Sequence, residues 1–270
     1  MSILKLHLQA LKKQNLVPDL WEVIFVFKAE QNSKFFLDSQ SLIKRFFPKA
    51  QILSLSLNTP IYQMRNLGFS CASSPLLYFL DEDVILERVE HLQNVMTLHE
   101  KHPSIHVIGG SYLSHPESSF FGHCYNWLVR IWMKKYQMSR NQDFVPAGNL
   151  SVKLDKKFSA LFFSPNSSGF GSEEIFFLKK LHEEGFSSLW IKDIDAFHLA
   201  KHSFLDFIKR AWLQGKNLSL KKWFSYKNFK IFFSQKGSFL LKTSALFYLL
   251  FVRLSALNSK LKNIFLQKLI

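Results

Sequence analysis

Residues 64–86 read MRNLGFSCASSPLLYFLDEDVIL. Within them Leu76–Leu80 (LLYFL) is an unbroken apolar run, preceded by Pro75 and followed at once by Asp81-Glu82-Asp83. So short a run with no polar member predicts a strand covered on both faces, an inner strand of a layered α/β sheet. Open α/β sheets take their ligands beyond the carboxyl ends of the strands, and that is where the three acids stand. Two carboxylates one residue apart can hold a hard divalent cation, which in turn neutralises phosphate. The same acids would also serve as a solvated turn that caps the next helix. Spacing alone leaves both readings open.

Outward from this segment, helical and strand patterns alternate. Residues 3–16 are expected to be a helix with Leu4, Leu8 and Leu11 on one face, followed by a strand at 21–27 (WEVIFVF). A helix over 35–46 stops before Pro48, and a strand at 51–57 and a helix at 61–72 lead back to LLYFL. Beyond the acids the pattern predicts a helix over 84–100, a strand over 105–113 and an aromatic-rich helix over 119–138. A turn and strand over 143–153 and a loop over 164–172 follow. A helix then runs from Glu173 to Glu184, closed by Gly185, and a last strand over 188–198 leads to His198. Strands alternating with helices imply an α/β fold with a mainly parallel central sheet and helices on both faces.

Composition excludes several classes. An apolar fraction of 47% with 16% aromatic residues is incompatible with a disordered chain. Cys71 and Cys124 are the only cysteines, too few for a disulfide framework, which favours a reducing compartment. The N-terminal leucines are interrupted by Lys and His, unlike the apolar block of a signal peptide. A cytoplasmic protein is expected.

The formal net charge of +15 is unevenly spread: residues 201–270 hold fourteen Lys and Arg against one acid, Asp206, whereas 1–200 are nearly balanced. The chain is therefore expected to divide into a body over 1–200 and a basic, aromatic-rich helical extension over 201–270. Cationic charge interleaved with aromatics suits nucleic acid or an anionic membrane surface. In residues 238–256, Lys242 and Arg253 leave ten uncharged positions between them, too few to span a bilayer. A helix lying in the membrane interface fits better than a span, and a helix packed on the body is the plain alternative.

Two further constellations can carry chemistry. Gly169-Phe170-Gly171-Ser172 feeds Glu173-Glu174 at a helix start, where a carboxylate can act as general base or merely complement the helix dipole. His198 ends a strand, where a neutral imidazole can complete a metal shell or stay structural. His198 and His202 are four apart but lack the glutamate of a zinc-protease helix. His91, His99, His102 and His106 are expected at the surface.

Taken in order, these segments resemble the core of family 2 glycosyltransferases with the GT-A fold. Residues 64–86 resemble the family's Arg-Asn-Gly segment, apolar strand and Asp-x-Asp. Residues 145–158 (VPAGNLSVKLDKKF) resemble its Gly-Asn segment beside the acceptor, 169–185 its Gly-x-Glu-Asp helix, and 195–215 its strand-His segment with a basic helix.

The resemblance implies roles. Asp81 and Asp83 are the Asp-x-Asp pair, with Asp83 binding the metal and Asp81 facing the ribose or the metal's water shell. His198 completes the metal site. Arg65 and Asn66 contact the donor, and Gly148 and Asn149 lie at the acceptor. Glu174 is the catalytic base, with Glu173 the acid before it, and Lys180 replaces the usual Arg of that helix. It further implies a divalent cation (Mn2+ or Mg2+), a nucleotide-sugar donor, and a glycan or lipid-linked acceptor; the basic extension adds the expectation of peripheral association with the inner face of the cell membrane. The product would be surface polysaccharide or lipopolysaccharide.

Family members open with a strand and carry an acidic run after the second strand. Here the chain starts inside the first helix, and the matching stretch 27–34 holds Glu30 alone. The first strand is therefore expected to be missing. A catalytically inactive GT-A module that binds a membrane or assembly partner is the alternative reading. A nucleic-acid binder is the third, though no recognisable nucleic-acid module is present.

Overall fold

The computed structural model describes residues 2–17, 20–140, 145–154, 163, 173–216 and 239–267. They form two compact units. The first comprises 1–113, 142–166 and 173–197, and the second 114–141, 167–172 and 198–270.

In the first unit, helix α1 (Ile3–Lys12) starts where the Ser2 hydroxyl accepts a bond from the Lys5 amide, and it buries His7, Leu8, Ala10 and Leu11. Strand β1 (Ile24–Lys28) pairs in parallel with β2 (Gln51–Leu55), and α2 (Lys34–Phe46) joins them. Among the described residues β1 pairs with β2 alone. Helix α3 (Ile61–Cys71) packs on β1, with Gly68 against Val26. The Glu22 carboxylate accepts three bonds from Ser73 and Ser74, which ties the start of β1 to the approach of the next strand.

That next strand is β3 (Leu76–Leu80). It lies in a four-stranded sheet ordered β3-β7-β5-β8, with β5 at Val107–Gly109, β7 at Asn149–Lys153 and β8 at Ser188–Trp190. Against the expectation of an inner strand covered on both faces, the five residues of β3 are half-buried and it stands at the edge of its sheet among the described residues, because β7 alone pairs with it. The β5–β8 pair is parallel, whereas β7 enters antiparallel between β3 and β5. Leu80 pairs with Asn149, so the acids beyond β3 face the segment that leads into β7. Val107, Leu150, Val152, Leu178 and Leu181 form the core, with α6 (Glu173–Glu183) packed on the sheet. Each such buried aliphatic side chain is worth about 1.5–3 kcal/mol relative to exposure. Gly185 ends α6 at φ +85°, a conformation that favours glycine.

Three further expectations are corrected. The stretch 84–100 is not one helix: β4 (Val84–Ile85) comes first, and α4 runs only over His91–Lys101. The side chain of Gln14 bonds the carbonyls of Leu86 and Arg88 and accepts from the Leu92 amide, holding the intervening loop open. The expected strand 105–113 is two strands, β5 and β6 (Tyr112–Ser114), broken because Gly110 packs so close to Ile194 that a side chain would collide with its backbone. The Ser111 amide there turns to the Asp195 carboxylate instead of a ladder partner. The expected strand 188–198 is likewise β8, a 3-10 turn at Lys192–Ile194, and β9 (Ala196–His198). Strands β4, β9 and β6 make a three-stranded sheet.

His91 and His99, expected at the surface, are 1% and 3% exposed. The Tyr78 hydroxyl accepts from His91 and donates to Asn149, while His99 meets the Ser151 hydroxyl at 2.8 Å. Burial pushes His91 down to about 4, with the Arg88 charge adding, and pushes His99 down to about 4, with Lys153 adding. Both rings are therefore neutral in the fold but titrate near 6.5 when unfolded. Below pH 6.5 the unfolded chain takes up protons that the native chain does not, so stability falls with pH down to about 4. Each ring can cost about 3 kcal/mol over that window. Tm is expected to drop steadily from pH 7 to pH 4.5, and a flat profile would refute this account.

In the second unit, α5 (Phe120–Arg140), α7 (Phe204–Lys216) and α8 (Phe239–Gln267) share a core of Cys124, Leu128, Phe207, Ala211, Ala245, Tyr248 and Val252. The Phe207 and Tyr248 rings lie 4.7 Å apart. Among the described residues no helix is long and apolar enough to cross a membrane.

Candidate functional site

The acids stand where the strand delivers them. β3 ends at Leu80, the Asp81 amide donates to the Gly148 carbonyl, and the Val84 amide donates back to Asp81, which closes a turn over Asp81–Asp83. Arg65, projecting from α3, donates Nη2 to Asp81 Oδ1 at 3.0 Å. A charge-assisted bond of this kind fixes both groups. Gly148 has no side chain for a reason: a Cβ there would overlap the Asp81 carboxylate and the Tyr112 hydroxyl.

The electrostatics mark the same spot. Burial raises the Tyr112 phenol well above its ordinary value, the charges of Asp81, Asp83 and Glu174 add to this, and Arg65 opposes it. Glu82 is raised by desolvation of its carboxyl and then by Asp83 and Asp81. His7 donates Nδ1–H to the Val84 carbonyl at 2.9 Å, and burial lowers its titration, opposed by that bond and by the charges of Asp83 and Asp81. Asp81, Asp83, Arg65 and Glu174 thus act on one phenol, and carboxylates outnumber the cation among them.

This set suits a hard divalent ion. Such ions take one or two carboxylates and complete their shell with water and substrate phosphates. A cation would offset the Asp83 and Asp81 charges that add to burial in raising Glu82. Among the described residues no group of three or more His, Cys, Asp or Glu side chains is already arranged around a common point. Two protein carboxylates plus a diphosphate are the arrangement these residues permit.

Asn66 and Asn149 both bond partners within the fold. Asn66 donates to the Phe163 carbonyl at 3.0 Å and accepts from the Phe163 amide at 2.9 Å. The Phe163 ring stacks on Phe177 of α6 at 4.5 Å, meets Phe79 edge-on at 5.5 Å, and lies 5.5 Å under the Arg65 guanidinium. One residue thereby links the Arg65 helix, the acid-bearing strand and the Glu174 helix. The Asn149 side chain is fully buried, donating to the carbonyls of Ser111 and Ile194 and accepting from Tyr78. Its amide holds the sheet together just behind Gly148.

Glu174 is half-buried in the first turn of α6. Glu173 opens the same helix, and its side chain, with Gly169–Ser172, lies outside the described residues. His198 belongs to the second unit. Its Nδ1 donates to Asn126 Oδ1, while its carbonyl accepts from Asn126, Ser118 and the His115 amide. In the neutral ring that bond makes Nε2 the lone-pair nitrogen, the tautomer that metal-ligating histidines adopt.

Sequence reasoning missed His7, Tyr112 and Phe163. His7 was findable, being three residues after Leu4 and four before Leu11 on the buried face of α1. Tyr112 and Phe163 carry no periodic signal.

Comparison with known proteins follows the same lines. No curated protein sequence matches the chain. Among solved structures, the mannosyltransferase PcManGT from Pyrobaculum calidifontis, in complex with GDP-Man and Mn2+, superposes with a TM-score of 0.57 at 12% identity, over 94% of this chain and 67% of that one. TarS 1-349 from S. aureus, in complex with UDP, gives 0.51 at 15% identity, over 90% of this chain and 65% of that one. These likenesses establish the GT-A fold, and this chain spans about two thirds of each of those proteins. The family model for glycosyl transferase family 2 matches residues 3–153, more than half the chain, from α1 through the acids to the end of β7. The chain belongs to glycosyl transferase family 2.

Proposed function

We propose that this chain is a metal-dependent, inverting glycosyltransferase that moves a sugar from a nucleotide diphosphate donor to a glycan or lipid-linked acceptor. The observation that carries this reading is the gathering of Asp81, Asp83, Arg65 and Glu174 around Tyr112 and Gly148 at the carboxyl end of β3. Asp83 and Asp81 are the residues that would hold Mn2+ or Mg2+, the rest of the shell coming from water and the donor's diphosphate. The ion, when bound, would offset the charge of the departing diphosphate. Arg65 adds a fixed cation beside the same oxygens. Glu174 takes the proton from the acceptor hydroxyl as that oxygen approaches the anomeric carbon from the face opposite the diphosphate, so configuration inverts in one displacement. The Glu173 carboxylate stands next to it in the chain. Gly148 gives the acceptor and Asp81 room.

The second unit supports work at a membrane. Leu240, Phe247, Leu250 and Leu254 of α8, with Phe204 and Leu205 of α7, are exposed large apolar residues in a segment of high positive charge. An apolar face beside Lys and Arg lies naturally in the interface of an anionic leaflet, each cation adding about 1 kcal/mol. Our reading is of an enzyme working at the inner face of the cell membrane, in surface polysaccharide or lipopolysaccharide synthesis. The alternative, an inactive binding module, draws on β1 having β2 as its one partner strand among the described residues.

One experiment separates the readings. The purified chain is sedimented with anionic vesicles bearing lipid-linked acceptors, Mn2+ and a panel of nucleotide sugars. Co-sedimentation and a lipid product heavier by one sugar are expected, with loss of product on chelation. Vesicle binding without nucleotide release would establish the inactive module, and protein left in the supernatant would remove the membrane assignment.

A further inference from the structure

Tyr112 is the first residue of β6, one place after the Ser111 amide leaves the sheet ladder for the Asp195 carboxylate. The break between β5 and β6 is enforced by the fit of Gly110 against the Ile194 backbone. Beyond this break the Tyr112 side chain reaches the neighbourhood of Asp81 at Gly148. Its ring is buried, and its hydroxyl and Asp81 Oδ2 flank the one point where a Gly148 Cβ would stand. A tyrosine hydroxyl carries its proton at neutral pH, so beside the Asp81 carboxylate it is a donor facing an acceptor.

We propose that Tyr112 is a positioning residue of the acid site, its phenolic O–H directed to the Asp81 carboxylate and fixing the rotamer in which the pair Asp81 and Asp83 faces an incoming cation. Arg65 holds Oδ1 of Asp81 from one side, at 3.0 Å, and Tyr112 addresses Oδ2 from the other. With both oxygens constrained, the carboxylate loses little further freedom when a metal-bound diphosphate arrives, which favours binding. Gly148 is what permits the approach. The inference rests on the glycosyltransferase reading for its purpose, but the contact it asserts does not.

The test uses Tyr112→Phe, which keeps the ring and removes the hydroxyl, in the full chain. Calorimetry with Mn2+ and UDP or GDP is expected to show about tenfold weaker binding, a drop about equal to 1.4 kcal/mol, with the ring packing retained. A role in packing alone would leave that affinity at its wild-type value, and such a result overturns the proposal. A thermal-unfolding cycle of Tyr112→Phe, Asp81→Asn and the double variant, without metal, checks the contact by itself. The double variant should be no less stable than the weaker single variant. Additive losses of Tm would overturn the positioning role even if nucleotide binding fell. If the wild-type chain bound no nucleoside diphosphate, the glycosyltransferase reading would fail, and the cycle would still decide for or against Tyr112.

Discussion

Asp83→Ala is expected to lower kcat/KM for any nucleotide-sugar donor by on the order of a thousandfold, equivalent to about 4 kcal/mol of transition-state stabilisation. The argument is local. Asp83 follows a strand that is fixed by five cross-strand pairs with β7, and its neighbours are tied to Gly148 and His7. The turn will therefore survive the loss of one side chain, and the effect is chemical rather than structural. What disappears is half of a two-carboxylate set whose charges add to the burial that raises Glu82. Alanine removes one of those charges, so the variant should unfold no earlier than the wild type in the absence of metal. Unchanged turnover in Asp83→Ala, measured by nucleoside diphosphate release, would remove the metal-site assignment.

Glu174→Gln is the second large effect, and it should separate binding from chemistry. Glutamine keeps the shape of the side chain and its place in the first turn of α6 but cannot take up a proton. A positioned general base contributes roughly 10²–10⁴-fold, so kcat should fall by that range while donor binding stays near wild type. The helix itself is secured elsewhere, by Phe177, Leu178 and Leu181 in the core and by the Phe163 ring on Phe177. Transfer that persists in Glu174→Gln would place the base at another residue, and Glu173→Gln would be the next variant to assay.

Much of the fold was legible because its strongest signals are local. LLYFL has no polar member, and it became β3 with the acids at its carboxyl end, as its pattern implied. Ser2 and Ser33 cap α1 and α2 where a serine precedes an apolar run. The failures share a different cause, which is contact between residues far apart in sequence. Gly110 breaks a promising strand because Ile194 packs against it, and no window of nine residues contains that fact. Val84–Leu86 carry a helical pattern yet form β4 and a loop because Gln14, more than seventy positions earlier, bonds the carbonyls of Leu86 and Arg88.

The same holds for the histidines and the site. His91 and His99 look like surface residues of a polar helix. They are buried because Tyr78 and Ser151, on strands of the sheet below, supply hydroxyl partners. At the site, the acids and Arg65 could be found from their order along the chain. The partners of Asn66 and Asn149 could not, since the Phe163 backbone on one side, and Tyr78 with the Ser111 and Ile194 carbonyls on the other, are brought near only by the fold. Tyr112 stayed hidden for a like reason: its nearness to Asp81 is made by Gly148, thirty-six positions later in the chain.

The central claim is that Asp81 and Asp83, at the carboxyl end of β3, hold a divalent ion that carries a pyrophosphate. Isothermal titration of UDP and GDP into the full chain, with and without Mn2+, tests it most directly. The account predicts binding of at least one nucleotide that requires Mn2+ and is lost in Asp83→Ala. Binding that is equally tight without Mn2+, or that survives Asp83→Ala unchanged, would contradict it.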